Sequence, residues 1–152
     1  MNSKRHFIEI KNIMGELSVK IEFATEADYK YIIERDKHIV EILVSSKIKE
    51  NEILIIREDN RNIGWLRYGY FWDNTPFMNM IWIDEEYREQ GIGKRVVMYW
   101  EELMRGKGFC LVMTSTLSNE SAQQFYRKIG YRDSGCLLLE NEPLEVILTK
   151  KL

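Results

Sequence analysis

Tyr87-Arg88-Glu89-Gln90-Gly91-Ile92-Gly93-Lys94 is a charged turn with two glycines between a strand pattern and a helix pattern. The apolar run over residues 78–83 predicts a buried strand before the turn, and apolar side chains at helical spacing over residues 94–104 predict a helix after it. The first amides of a helix lack intrahelical acceptors and carry the positive end of the helix dipole, so they attract anions. Gly91 and Gly93 give an anion access to these amides, so the turn predicts a phosphate-binding site.

The spacing of the two glycines differs from that of two common phosphate-binding motifs. A P-loop has four residues between its glycines and ends in Gly-Lys-Ser or Gly-Lys-Thr, and a dinucleotide fingerprint has a third glycine where residues 95–97 stand. Glycine before a helix also relieves steric strain at a tight turn, so the glycines alone leave a purely structural role open. If the turn binds phosphate, its ligand belongs to another class.

The composition is that of one globular domain. The chain has 152 residues, of which 45% are hydrophobic and 30% charged, and this suffices for a core that is stable without disulfides. A formal net charge of -2 argues against binding to nucleic acid or a membrane surface through bulk charge. Cys110 and Cys136 are too few for a disulfide framework, and His6 and His38 stand apart, so we expect reduced thiols and no metal site.

The distribution of apolar residues predicts neither a signal peptide nor a membrane span. Residues 1–20 lack the apolar region of a signal peptide, and no run reaches the roughly 20 apolar residues that span a bilayer, so we expect a cytoplasmic protein. Residues 1–18 form an N-terminal extension in which residues 6–11 alternate like an accessory strand.

The order of elements after this extension is strand, two helices, three strands, helix, strand, helix and two strands, which predicts an α+β fold. The predicted strands are residues 19–23, 53–56, 63–72, 77–83, 109–113, 131 or 134 to 139, and 144–149. Thr25, three residues before Asp28, predicts a capping box that opens the first helix, which contains Tyr29, Ile32 and Ile33. The further predicted helices are residues 39–48, 94–106 and 120–129.

Two motifs together resemble the GNAT superfamily of acyl-CoA-dependent N-acyltransferases. Arg88-Glu89-Gln90-Gly91-Ile92-Gly93 fits the superfamily's pattern of Gln or Arg, two residues, Gly, one residue, then Gly or Ala. Asn119-Glu120-Ser121-Ala122-Gln123-Gln124-Phe125-Tyr126, followed by Lys128-Ile129-Gly130-Tyr131, looks like its Asn, Ala, Tyr and Lys-x-Gly-aromatic sequence. The resemblance covers residues 19–152. It implies a single GNAT-like domain with a mixed, mostly antiparallel central sheet flanked by helices on both faces.

The resemblance also implies acetyl-CoA as the donor, CoA as a product and no metal. The backbone amides of the turn would hold the pyrophosphate of the cofactor, and the pantetheine arm would lie where the strands carrying residues 81–83 and 111–113 part. Asn119 would hydrogen-bond the cofactor, and Ala122 would leave room for the arm. The cofactor-binding residues expected on this basis are Ile81, Ile83, Arg88, Glu89, Gln90, Gly91, Ile92, Gly93, Lys94, Asn119, Ala122 and Tyr126.

Tyr126 falls where the resemblance places a general acid for the departing thiolate. A thiol has a pKa of roughly 8.5 and a phenol roughly 10, so a hydroxyl at the sulfur lowers the cost of thiolate departure. Packing on an amphipathic helix is the other role open to this tyrosine. Neither residues 77–83 nor residues 109–118 contain a carboxylate, so we assign no general base and expect a water relay. Cys110 lies in an apolar strand pattern, where a thiol packs inertly, so a covalent route is disfavoured.

The acceptor side is less defined. Arg67, Trp72 and Asn79 interrupt or end aromatic strand patterns and are candidate acceptor contacts, although cross-strand pairing explains Arg67 and Asn79 equally well. The leading hypothesis is an N-acetyltransferase that acts on a primary amine of a small molecule or peptide, as a monomer or homodimer without nucleic-acid or membrane partners. A longer acyl donor stays open. The alternative from another class is a catalytically silent acyl-CoA-binding or regulatory domain, because a fold does not guarantee chemistry.

Overall fold

The computed structural model describes residues 8–11 and 18–152. Its strands are β1 (Ile8–Lys11), β2 (Ser18–Phe23), β3 (Ile53–Glu58), β4 (Arg61–Phe71), β5 (Thr75–Ile83), β6 (Leu111–Leu117), β7 (Arg132–Leu137) and β8 (Glu145–Lys151). Its helices are α1 (Tyr29–Arg35), α2 (Val44–Lys49), α3 (Ile92–Gly106) and α4 (Ala122–Lys128). Short 3-10 turns lie at Glu26–Asp28, Glu41–Leu43 and Glu85–Tyr87.

The strands follow the order β1-β2-β3-β4-β5-β6-β8-β7. The pairs β1–β2, β2–β3, β3–β4, β6–β8 and β7–β8 are antiparallel, whereas β5 and β6 run parallel and pair at Phe77↔Met113 and Met78↔Thr114. The predicted α+β class with a mixed, mostly antiparallel sheet is therefore confirmed.

By its internal contacts the chain divides into two compact units. The first unit is Met1–Arg67 with Met80–Ile92. Its core cluster lies between β3, β4 and the two short helices and consists of Ala24, Ile32, Val44, Ile48, Ile53, Ile55 and Trp65. The backbone amide of Thr25 donates to Asp28 Oδ2 at 2.9 Å, which completes the predicted capping box and starts the segment that leads into α1.

The second unit is Tyr68–Asn79 with Gly93–Leu152. Helix α3 buries an apolar stripe at helical spacing, made of Val96, Val97, Trp100 and Met104. The ring of Trp100 lies 5.9 Å from that of Tyr68 on β4. After α3 the chain turns at Gly108, whose φ of +89° is the left-handed conformation that glycine adopts without steric cost.

The largest departure from the predicted elements concerns β6. It was expected over residues 109–113 but runs over Leu111–Leu117, because the apolar run continues into threonines whose β-branched side chains suit a strand. Thr114 and Thr116 are both buried. Cys110 therefore precedes the strand and is exposed, so the expectation that it packs inside a strand is wrong. The predicted helix over residues 39–48 is a 3-10 turn followed by α2.

Candidate active site

In the glycine turn the first backbone amide is hydrogen-bonded within the turn, whereas the amides that follow it are not. Arg88 N–H donates to the carbonyl of Glu85 at 3.1 Å, so this amide is used within the turn. Glu89 and Gly91 then adopt left-handed φ values of +60° and +75°. Within residues 18–152 of the structure, no acceptor pairs with the amides of residues 89–91. Strain of this kind in a non-glycine residue such as Glu89 is characteristic of functional sites.

The helix that follows adds further donors. Helix α3 begins at Ile92, so the amides of its first turn lack intrahelical acceptors. A Cβ atom at Gly91 would meet no atom within 4 Å, which shows that the space above the turn is open. A Cβ at Gly93 would lie 3.8 Å from the ring of Phe125. Because the Arg88 amide is already used, the backbone amides that can bind an anion are those of residues 89–94 and not 88–94. The side chain of Lys94 is exposed.

The side chain of Arg88 points back along β5. Its Nε donates to the carbonyl of Ile83 at 2.8 Å, and its guanidinium lies 4.6 Å from the ring centroid of Trp82. Trp82 in turn stacks on Trp65, with ring centroids 6.0 Å apart. The carbonyl of Ile83, which was expected beside the pantetheine arm, therefore already uses one of its two acceptor positions. Ile83 is buried, and Ile81 is half-buried.

In the second unit the parallel ladder between β5 and β6 is short. Met113 pairs with Phe77 and Thr114 with Met78, and the described strands share no further pair in this ladder. Of residues 111–113, which were expected where the strands part, only Met113 is paired with β5. From Ser115 onward β6 stays paired on its other side, where Ser115 faces Ile147 of β8. The edge of β6 that leaves the parallel ladder is therefore residues 115–117.

Tyr126 lies on α4 and is 5% exposed. Burial raises the pKa of Tyr126 to about 12, the Thr114 hydroxyl acts in the opposite direction, and the charge of Glu120 adds to the rise. The phenol is therefore protonated at neutral pH, as a general acid must be. The Thr114 hydroxyl itself donates to the carbonyl of Met78 at 3.0 Å.

Two further predicted residues follow β6. Asn119 is exposed in the turn before α4, and Ala122 is half-buried as the first residue of α4. Between them, Glu120 accepts a hydrogen bond from the hydroxyl of Thr116 at 2.7 Å. Thr114 and Thr116 are two residues apart and therefore face the same side of β6, and the sequence alone assigned neither a role.

Arg67 was predicted as an acceptor contact and is 5% exposed in the first unit. Its Nε donates to Asp36 Oδ2 at 2.8 Å, and Trp65 Nε1 donates to the same oxygen at 3.2 Å. Burial opposes ionisation of Asp36, but the bonds from Arg67, the His38 amide and Trp65 outweigh it and lower the pKa of Asp36. The buried ion pair with Asp36 accounts for an arginine at this position of β4 without any contact to a substrate.

The other two acceptor candidates lie in the second unit. Trp72 is 78% exposed and has a φ of +52° in the turn after β4, so it stands outside the strand in which it was expected. Its ring packs on Phe71, with centroids 4.6 Å apart. Asn79 is exposed on β5, and its side-chain amide donates to the carbonyl of Phe77 at 3.4 Å. Both side chains therefore keep surface that a ligand can reach.

Over residues 8–11 and 18–152, no helix is long and apolar enough to cross a membrane. The same residues contain no group of three or more His, Cys, Asp or Glu side chains that could hold a metal ion.

Comparison with known proteins gives a consistent result. The model of the acetyltransferase (GNAT) family matches residues 14–131. An uncharacterized Bacillus subtilis protein, YyaT, is 29% identical over 99 residues, and the match spans 65% of this chain and 65% of that relative.

Among solved structures, a GNAT family acetyltransferase from Bacillus cereus is 25% identical, with 88% of this chain and 96% of that chain covered and a TM-score of 0.69. PaiA N-acetyltransferase from Thermoplasma acidophilum, in complex with coenzyme A, is 20% identical, with 89% and 99% covered and a TM-score of 0.69. A GNAT family acetyltransferase from Elizabethkingia anophelis with acetyl-CoA bound is 20% identical, with 88% and 98% covered and a TM-score of 0.70.

Proposed function

Because the chain belongs to the acetyltransferase (GNAT) family, we propose that it transfers the acetyl group of acetyl-CoA directly to a primary amine of a small molecule or peptide. The observation that carries this proposal is the turn before α3, where the amides of residues 89–91 have no acceptor in the described structure. The open space at Gly91 lets a phosphate reach them. The CoA and acetyl-CoA complexes of similarly folded proteins support the choice of donor.

The proposal assigns the donor to the following groups. In the turn and the first turn of α3, the amides of residues 89–94 bind the pyrophosphate, and the adjacent Lys94 ammonium adds positive charge. In the first unit, the backbone at Ile81 and Ile83 borders the pantetheine arm. In the second unit, the edge of β6 over residues 115–117 pairs with its amides, Asn119 hydrogen-bonds it, and Ala122 leaves room for it.

The reaction needs a group that protonates the leaving sulfur and an acceptor for the proton that the amine nitrogen loses. The nitrogen lone pair of the neutral amine attacks the thioester carbonyl carbon, a C–N bond forms and the C–S bond breaks. Tyr126 gives its proton to the leaving sulfur, which yields CoA as the free thiol, and the nitrogen loses a proton to water. Tyr126 then regains a proton from solvent. A buried phenol that is fully protonated at neutral pH supports this assignment of the acid.

We further propose that the acetyltransferase domain spans residues 19–152 and acts in the cytoplasm, as a monomer or homodimer and without nucleic acid or a membrane. The net charge of -2 supports the absence of nucleic acid and membranes as partners, because such partners attract proteins with a large positive charge. The match of the family model over residues 14–131 supports one domain that contains both motifs.

The test is turnover with a panel of primary amines that includes polyamines, amino sugars and peptides with free N-termini. CoA release and the mass of the acetylated product are measured for wild type and for Tyr126→Phe. We expect the variant to bind acetyl-CoA normally and to lose about 100-fold or more in kcat, since general acids contribute this much. Tyr131→Phe is the control, because Tyr131 is another buried tyrosine whose ring lies 5.5 Å from that of Tyr126.

Two results would contradict the proposal. Unchanged turnover in Tyr126→Phe would remove Tyr126 as the acid. Tight binding of acetyl-CoA with no acetylation of any amine would favour the silent acyl-CoA-binding domain.

A further inference from the structure

We propose that Gln123 positions Asn119 for acetyl-CoA, an inference that rests on the proposed function because Asn119 is assigned there as a cofactor contact. Residues 118–121 form the turn between β6 and α4, and Asn119 is exposed in this turn. Within the described residues the side chain of Asn119 has no hydrogen-bond partner, so it is available to a ligand. A side chain on a turn binds well only if the backbone that carries it is held in place.

The side-chain amide of Gln123 holds the backbone on both sides of Asn119. Its Nε2 donates to the carbonyl of Ser118 at 2.6 Å and to the carbonyl of Glu120 at 3.1 Å. Gln123 is half-buried as the second residue of α4, so the helix supplies the group that fixes the turn before it. One side chain therefore fastens both the residue before Asn119 and the residue after it.

The orientation of the Gln123 amide follows from its third partner. Arg127 Nη1 donates to Gln123 Oε1 at 2.8 Å, and a guanidinium can only donate. The amide oxygen therefore faces Arg127, and the amide nitrogen faces the two backbone carbonyls, which can only accept. Arg127 also donates through Nε and Nη2 to the two oxygens of Asp133 on β7, at 2.9 and 3.0 Å. This two-bond pairing fixes the guanidinium, and the guanidinium fixes the amide.

The other bonds of the turn hold it at its ends. The backbone amide of Ser118 donates to the carbonyl of Leu144 at 2.8 Å. The side chain of Glu120 accepts from the buried hydroxyl of Thr116 at 2.7 Å. Loss of the Gln123 amide therefore leaves the turn attached to its neighbours, but the backbone around Asn119 gains other conformations. Acetyl-CoA would then bind only the fraction of molecules in which Asn119 is correctly placed.

Gln124 provides a matched control on the same helix. It follows Gln123 directly, is exposed, and its side chain has no hydrogen-bond partner within the described ranges. Methionine is unbranched like glutamine and of similar length, but it has no amide. Gln123→Met and Gln124→Met therefore make the same chemical change, and only Gln123→Met removes the bonds to the turn.

The experiment is calorimetric titration of the full chain with acetyl-CoA. It compares wild type, the two methionine variants, Asn119→Ala, and Asn119→Ala combined with Gln123→Met. We expect Asn119→Ala to weaken binding about tenfold, the worth of one hydrogen bond. Gln123→Met should weaken it about threefold to fivefold through the lost population, and Gln124→Met should stay within about twofold of wild type. In the Asn119→Ala background, Gln123→Met should cost no more than about 1.5-fold, because residues that act through one another are not additive.

The outcomes separate this inference from the proposed function. Absence of acetyl-CoA binding to the wild type would contradict the proposed function, and this inference with it. Full affinity in Asn119→Ala would overturn the inference and leave the donor assignment standing. Weak binding by Asn119→Ala with normal binding by Gln123→Met would overturn the inference alone, as would losses that multiply in the combined variant. Should Gln123→Met not fold, Gln123→Ala is judged by the same criteria against Gln124→Ala.

Discussion

A buried carboxylate in the first unit and a buried phenol in the second differ in what their surroundings leave free for chemistry. In the first unit the Asp36 carboxylate accepts bonds from the His38 amide, Trp65 Nε1 and two nitrogens of Arg67, at 2.8–3.4 Å. In the second unit the Tyr126 phenol is 5% exposed, and burial raises its pKa to about 12. The Asp36 carboxylate has no free lone pair for a substrate, whereas the protonated phenol still has a proton to give. The Asp36 cluster is therefore structural, whereas Tyr126 can perform chemistry.

Removal of Asp36 should have the largest effect on stability. Asp36→Ala leaves the Arg67 guanidinium buried without its carboxylate, which costs about 3–5 kcal/mol of folding free energy. We expect this loss in urea unfolding followed by circular dichroism. Glu34→Ala is the control, because the Lys30–Glu34 pair is 3.7 Å long and both side chains are exposed; such pairs contribute at most about 1 kcal/mol. A loss of less than 1 kcal/mol of folding free energy in Asp36→Ala would show that the Asp36 cluster does not stabilise the fold.

A smaller effect of the same cluster is its dependence on pH. The pKa of Asp36 is lowered in the folded protein, because the bonds to its carboxylate outweigh its burial. Its stabilising contribution is therefore present above the ordinary carboxyl pKa of about 3.9 and is lost as the pH falls through the lowered value. The stability difference between wild type and Asp36→Ala should shrink between pH 6 and pH 2.5 in urea titrations. A difference that stays constant would contradict the assigned charge state.

The sequence predicted the parts of the fold that depend on local pattern. Apolar periodicity located most of the helices and strands within a few residues, and the spacing of Thr25 and Asp28 predicted the capping box. The glycine turn was found because its conformation depends on glycine at that position, and Gly91 has a φ of +75°.

The rest depends on contacts between residues far apart in the sequence. Asp36 and Arg67 are separated by 31 positions, and Thr114 bonds the carbonyl of a residue 36 positions away. No local pattern encodes such partners. For this reason Arg67 was interpreted as a substrate contact, and the hydroxyls of β6 received no role. The strand itself was placed too early because its polar second half lacks the apolar signal on which periodicity depends.

The turn before α3 is the proposed binding site for the phosphates of acetyl-CoA, and calorimetric titration of the purified protein with acetyl-CoA tests this assignment. The variant is Gly91→Glu, and the matched control is Gly108→Glu. Both glycines have a left-handed φ, +75° and +89°, and an added Cβ at either would meet no atom within 4 Å. The two variants thus share backbone strain, bulk and charge and differ in location. We predict that wild type and Gly108→Glu bind acetyl-CoA with similar affinity and that Gly91→Glu shows no binding. Equal affinity in all three proteins, or no binding to the wild type, would show that this turn does not bind acetyl-CoA.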